Sequence, residues 1–387
     1  MKKNGCSGKR SGSTGNNAGG NPVFFKIRHP QGCYFLSFPH MYRRYETTDA
    51  WGDSMNERDL QVLEQYPFTV NASWRTRGAF LLDTSVGRRL IREFSGSTYK
   101  LQKEQELLLH LRDCGYLVDR MEPDSEGRLA TVYREYDHYV VKESLDGREC
   151  DTRSESEIVK AASLLAGMHK DMRGFCETTE EDCRRLAASD VTKELARHNQ
   201  ELRKIYAFIR KKNKKNEFES AYLSCCQSVL REAQEVERCL AASSYQELRR
   251  QALSEGHYCH GEYIHHNILV ENGRMAVINF EKFALDVQVN DLYLFLRKIL
   301  EKQNYDYRLG SRILKSYEQV RPLCAQERAY LSLRMQYPEK FWKLANYYYN
   351  TNKAWVPGKH MEKLEKFLSQ REKRVSFSRE ILYNNPE

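Results

Sequence analysis

The pattern of apolar and polar positions changes character about a third of the way along the chain. Residues 1 to 22 are polar and glycine-rich, from Lys2-Lys3 to Gly19-Gly20-Asn21-Pro22, and predict a flexible leader. No apolar stretch follows the basic start, so the segment does not read as a signal peptide. Val23-Phe24-Phe25-Lys26-Ile27 predicts a short strand, and residues 41 to 57 predict no firm element. The pattern then sharpens. Asn56-Glu57-Arg58-Asp59-Leu60 leads into Val62-Leu63, a short helix. Phe68-Thr69-Val70, Ala79-Phe80-Leu81-Leu82-Asp83-Thr84 and, after Gly87, Arg88-Arg89-Leu90-Ile91-Arg92 predict strands. Leu101, Leu107, Leu108 and Leu111 give residues 99 to 113 one apolar face, and Gly115 supplies the stop. Further strands are expected at 129 to 133 and 139 to 142. Strands around one helix imply a small α+β lobe on a mostly antiparallel sheet.

Beyond Asp146-Gly147-Arg148 the period is helical. Ile158, Ala161, Leu164, Leu165 and Met168 line one side of residues 155 to 170, with His169 at the end. Long charged helices are expected at 191 to 212 and 218 to 240, with the basic run Arg210-Lys211-Lys212-Asn213-Lys214-Lys215 as an exposed helix end between them. Others follow at 287 to 301, 309 to 319, 326 to 334 and 338 to 349, and a basic amphipathic helix at 358 to 374. The organisation is therefore two-lobed: leader 1–22, small lobe 23–143, helical lobe 144–376 and tail 377–387, with the crossover near 142 to 150.

Composition narrows the class. The chain has 387 residues, 62 basic and 53 acidic, a surplus of +9 that favours an anionic partner without choosing one. No stretch approaches the roughly 18 apolar residues of a membrane span. The eleven cysteines are irregularly spaced with no C-x-x-C, which argues against a disulfide scaffold or a zinc knuckle. His257, His260, His265 and His266 lack the i, i+4 spacing of a helical zinc site. No Gly-x-Ser-x-Gly marks a serine hydrolase, and no specific nucleic-acid motif is present.

The distinctive stretch is His260-Gly261-Glu262-Tyr263-Ile264-His265-His266-Asn267-Ile268-Leu269-Val270, followed by Arg274-Met275-Ala276-Val277-Ile278-Asn279-Phe280-Glu281. Polar loop, strand, turn, strand and polar end make a hairpin with side chains presented at its base. Phosphoryl transfer needs a carboxylate near the acceptor hydroxyl and oxygen ligands for Mg²⁺. Glu262, Asn267, Asn279 and Glu281 are the residue types for such a site.

These segments resemble the catalytic and metal-binding parts of aminoglycoside phosphotransferase and choline kinase-like enzymes, and most nearly the CotS-type group of bacterial spore coat proteins. Tyr139 to Arg148, Leu165-Ala166-Gly167-Met168-His169, Asn290 to Arg297 and Tyr337 to Tyr348 follow in the same order, so the resemblance covers about 57 to 376. It implies a two-lobed protein kinase-like fold. It places Glu262 where the acceptor-side aspartate stands, Asn267 as a metal ligand, Asn279 in place of the main metal aspartate, and Glu281 beyond it. Arg92 corresponds to the phosphate-positioning lysine, with Glu104 or Glu106 as its helix partner. Glu143 falls at the nucleotide-binding hinge. His260 and Asp291 take structural roles, Asp291 as the brace of the loop.

The departures carry chemical weight. Glutamate for aspartate moves the carboxylate by roughly 1 Å, enough to cost about 10²-fold in rate. Asn279 brings no charge to Mg²⁺, and an arginine does not replace a lysine where geometry matters. The resemblance thus implies a catalytically degenerate member with a structural or assembly role in the endospore coat, and no cofactor. The alternatives are an active phosphotransferase using ATP and Mg²⁺ on a small molecule or coat protein, or a protein holding nucleotide as a structural ligand. Its partners would be spore coat proteins, with no specific nucleic acid. Synthesis is expected in the mother-cell cytoplasm and deposition on the coat. The aromatic segment from Phe341 to Trp355 suits either helix packing or a protein interface.

Overall fold

The computed structural model describes residues 57–383 apart from 77, 135–136 and 351–356. The leader and the strand expected at 23–27 lie outside the described residues. A 3₁₀ helix, Glu57–Gln65, leads into strands β1 (Val70–Thr76), β2 (Ala79–Thr84) and β3 (Gly87–Glu93), then helix α1 (Thr98–Asp113). Strands β4 (Leu117–Val118), β5 (Met121–Glu122), β6 (Thr131–Tyr133) and β7 (Asp137–Glu143) complete the front third. The sheet runs β1-β2-β3-β7-β5, with β6 also on β7, and every pairing is antiparallel.

Strand alternation decides what each face carries. Tyr139 and Val141 of β7 pack with Val62, Leu63, Tyr66, Phe80, Leu82 and Ile91 on one side of the sheet. Val140 joins Leu107, Leu108 and Leu111 of α1 on the other. Lys142, two residues on, is therefore delivered to the α1 face. Arg92 pairs in register with Val140 and shares that face. Ser97 caps α1 by accepting the Lys100 N–H, and Gly115, at φ +91°, turns the chain away after the helix.

The second lobe opens with β8 (Arg148–Glu149) and helices α2 (Glu155–Asp171), α3 (Glu180–Leu186), α4 (Val191–Lys211), α5 (Glu217–Ala241) and α6 (Tyr245–Ser254). Then come β9 (Tyr258–Cys259), the hairpin β10 (Ile268–Glu271) and β11 (Arg274–Val277), and β12 (Ala284–Leu285). Helices α7 (Val289–Lys302), α8 (Tyr307–Glu318), α9 (Ala325–Gln336), α10 (Glu339–Asn350), α11 (Pro357–Ser369) and α12 (Arg371–Tyr383) finish the chain. Asn272 and Gly273, at φ +49° and +74°, form the two-residue turn of the hairpin, a conformation Asn-Gly adopts at least cost. β8 pairs with β10 antiparallel and β4 with β11 parallel, so the hairpin is hydrogen-bonded to segments on both sides of the lobe crossover.

Several expectations shift. The first strand runs 70–76 rather than 68–70; only Ser73 within it is buried, so its polar sequence hid an edge strand. Helices α3 and α6 were not anticipated. The helix expected over 358–374 is two helices, with Gln370 between them donating from its side chain to the Glu301 carbonyl. The tail expected from residue 377 is instead helical to Tyr383, with Phe377 and Ile381 buried in the main core. The nine described cysteines are free, and among the described residues no helix is long and apolar enough to cross a membrane.

Candidate active site

The loop 260–267 is held by one buried carboxylate. Asp291, in the first turn of α7, accepts the backbone N–H groups of His260 (2.6 Å) and Gly261 (2.9 Å). His169 lies 3.3 Å from the same carboxylate and 2.7 Å from the Tyr317 hydroxyl. Burial keeps the His169 and His260 imidazoles below their usual pKa. His260 accepts the Glu262 N–H at Nδ1 (3.1 Å) and donates from Nε2 to the Ile278 carbonyl (3.0 Å), stitching the loop to the end of the hairpin. Gly261 stands at φ +79°, where a Cβ would meet the Lys282 carbonyl oxygen at 1.9 Å.

The hairpin brings Asn267 and Asn279 together, as the sequence expected, but one amide donates to the other. Asn279 donates from Nδ2 to Asn267 Oδ1 (2.9 Å), and Asn267 donates from its own Nδ2 to the Glu262 carbonyl (2.9 Å). Asn279 sits in the left-handed region, φ +66° and ψ +58°, which asparagine tolerates better than most residues. Both oxygens of Asp119 accept its backbone N–H, at 3.1 and 3.2 Å. The Glu262 side chain is paired with Lys282 at 3.0 Å.

Arg92 is not paired with α1. Its guanidinium bridges from β3 to Glu281 across the cleft, and the arginine partner expected at Glu104 or Glu106 belongs elsewhere. Glu104 takes Lys142 at 2.7 Å, with the side chains only 4% and 2% exposed, while Glu106 pairs with Lys103 at 3.0 Å. Strand register explains the exchange: Lys142 projects from the middle of the sheet onto α1, whereas Arg92 lies near the end of β3. Glu143, expected at a nucleotide hinge, has its carboxylate tied to Arg112 and to Arg120, the latter at 2.8 Å.

Lys142 and Asp119 are the site residues that the sequence reading passed over. A lysine in the apolar run Tyr139-Val140-Val141 was the available signal for the first. For Asp119, between two two-residue strands, the sequence held none.

Burial acts on all these charges, and the balance differs. It lowers the Lys142 ammonium, but Glu104 and then Asp119 more than offset it, so its pKa lies above the usual lysine range. It raises Glu281, yet Arg92 and then Lys142 hold that carboxyl low. Asp119 goes the other way, pushed up to about 6 by burial against the pull of Lys142 and the Asn279 N–H. A carboxyl whose folded pKa exceeds its unfolded value holds its proton more tightly in the folded chain, so it costs stability as pH rises from about 4 to 6. Asp119→Asn is expected to remove about 2–3 kcal/mol of that decline. Urea unfolding of both proteins at pH 4.5 and 7 checks it; equal pH slopes would contradict it.

As a donor set for Mg²⁺ this arrangement is a poor match. Two neutral amides bonded to one another and a carboxylate neutralised by arginine replace the charged oxygens that hold the ion beside phosphates. Among the described residues no group of three or more His, Cys, Asp or Glu side chains is placed to hold a metal ion.

The five-strand path with its single helix, the crossover strand, and a braced hairpin with polar residues at its base define a two-lobed protein kinase-like fold. Within it, residues 61–381 match the model of the spore coat putative kinase YutH family, and the chain belongs to that family. Solved structures agree on the fold. An aminoglycoside phosphotransferase from Alicyclobacillus acidocaldarius subsp. acidocaldarius DSM 446 superposes at TM-score 0.73 with 20% identity, covering 86% of this chain and 97% of that one. The AMP-bound spectinomycin phosphotransferase APH(9)-Ia does so at 0.60 with 13% identity, covering 86% and 99%. Amicoumacin kinase hAmiN, in complex with AMP-PNP, Ca²⁺ and Ami, gives 0.56 with 14% identity, covering 83% and 94%. No curated protein sequence matches the chain.

Proposed function

We propose that this chain is a catalytically silent kinase-like protein with a structural or assembly role in the spore coat, where coat proteins are its partners. The observation that carries the reading is the amide pair of Asn279 and Asn267 beside the Arg92–Glu281 bridge. A phosphate taking the place of Glu281 on Arg92 strands that carboxylate, and a metal drawing on Asn267 Oδ1 competes with the hydrogen bond from Asn279. The first exchange trades one charge-assisted contact for another and leaves Glu281 without its cation, and the second offers the ion an amide oxygen that brings no charge. Glu262, the acceptor-side carboxylate, is likewise engaged by Lys282. The cleft has therefore internalised its charges, and the interlobe bridge serves to hold β3 against the hairpin. In this reading the protein is made in the mother-cell cytoplasm, acts on the coat, and requires neither ATP nor Mg²⁺.

The test is turnover. Purified full-length protein incubated with γ-labelled ATP, Mg²⁺ and solubilised coat protein is expected to release or transfer no label above buffer. Transfer that disappears in Glu262→Gln would overturn the reading.

A further inference from the structure

Near Glu262, three helices of the second lobe carry six lysines that act on one another. They are Lys298 and Lys302 of α7, Lys340 and Lys343 of α10, and Lys363 and Lys366 of α11. Their mutual Coulombic reach forms a chain. Lys343 acts on Lys298, Lys298 and Lys302 both act on His265, Lys366 acts on Lys302 and Lys340, and Lys363 acts on Lys340. Glu262 lies within reach of Lys298, so the chain begins at the acceptor edge of the candidate site.

Two features set this face apart from an ordinary solvated surface. Among the described residues, Lys343 has a carboxylate partner, Glu339 at 3.5 Å, while the other five have none within ion-pair distance. Lys302 instead contacts the His265 ring at 2.6 Å, and His265 is pushed down to about 3 by burial and by its cationic neighbours. Second, each helix contributes a like-charge pair: 298/302 at i, i+4, and 340/343 and 363/366 at i, i+3. Each such pair destabilises its helix. Burial, with lysine or arginine neighbours, also holds Lys298 and Lys340 below the usual lysine range. Glu301 and Glu262 act on Lys298, Glu149 and Asp151 on Lys302, and Glu301 on Lys340. These carboxylates are themselves paired with Arg297, Lys282, His266 and Arg153, so the field over the face is net positive and an anionic occupant would relieve it.

We propose that this lysine face is a docking surface for an acidic segment of another polypeptide, seated across α7, α10 and α11 at the edge of the candidate site. Lysines on flexible stems, spread over three helices, suit an irregular run of carboxylates. The arginines beneath them are buried and committed, Arg297 to Glu301 at 2.8 Å and Arg374 to Glu232 at 3.3 Å, so the planar forks that favour phosphate are withheld. The surface does not depend on the centre being silent, because it shares no residue with the amide pair or the interlobe bridge.

The probe is a fluorescent polyglutamate peptide titrated into the full-length protein at low salt, read by anisotropy. Binding is expected to weaken with added salt and to fall about 10-fold or more in a Lys298→Glu, Lys302→Glu, Lys366→Glu triple variant. Charge reversal at Lys211, Lys214 and Lys215, in the basic run at the end of α4, is expected to change it less than about twofold. Equal losses in both triples, no binding by the natural protein, or tighter binding of a single-stranded oligonucleotide or phosphatidylserine vesicles would each overturn the proposal. Should the first triple misfold, lysine acetylation of the natural protein gives the same answer. The bound peptide should protect Lys298, Lys302, Lys340, Lys363 and Lys366 and leave 211, 214 and 215 reactive; the reverse pattern contradicts it.

Discussion

Replacing Lys142 with methionine is expected to lower the unfolding free energy by about 3–5 kcal/mol, the cost of leaving a buried charge without its partner. Glu104 is 3% exposed and Asp119 5%, and Lys142 is the cation that both lean on. Without it, Glu104 must ionise unpaired in the core or take up a proton, and Asp119 loses the main influence holding its pKa down. Adding Glu104→Leu to Lys142→Met is expected to recover most of the loss, because a buried ion pair replaced whole by apolar groups is often close to neutral. Urea denaturation of the natural chain, the single variant and the double variant decides this. A single variant within about 1 kcal/mol of the natural protein would mean that the pair contributes nothing to anchoring α1 on the sheet.

The pair also bears on function. An ammonium spent on Glu104 and Asp119 from the centre of the sheet is poorly placed to receive a phosphate, and Arg92, the cation nearer the cleft, is spent on Glu281. Lys142 and Arg92 are thus each paired with one of the protein's own carboxylates.

Much of this arrangement was legible in the sequence. The order of strands around one helix, the long periodic helices and the hairpin from His260 to Glu281 could be read directly, because apolar periodicity and an Asn-Gly turn act over a few residues. The proximity of Asn267 and Asn279 followed from the hairpin itself. What escaped depended on contacts between distant segments. Nothing local distinguishes Glu104 as the partner of Lys142 rather than of Arg92; the register of β3 against β7 decides it. Asp119 sits between β4 and β5, two-residue strands too short to have a period, and its role arises from a backbone N–H some 160 positions away. The lysine face is invisible in the same way, since its pairs come from three helices. The break at Gln370 was hidden because helical propensity is continuous through it, and the break shows only as a side-chain bond to Glu301.

Asn279→Asp is the substitution expected to change ligand behaviour most. It replaces a neutral amide by a carboxylate beside Asn267 and Glu281, and it removes the donor that occupies Asn267 Oδ1. Without metal the new charge faces Glu281 and Asp119, so the variant should be less stable than the natural chain. Mg²⁺ should restore that loss, since a ligand that binds only the folded state stabilises it in proportion to occupancy. The measurement that bears most directly on the silent-cleft account is calorimetric titration of the natural full-length protein and of Asn279→Asp with ATP, each with and without Mg²⁺. The account predicts no saturable heat from the natural protein and a Mg²⁺-dependent isotherm from the variant. Saturable, Mg²⁺-dependent binding of ATP by the natural protein would contradict it.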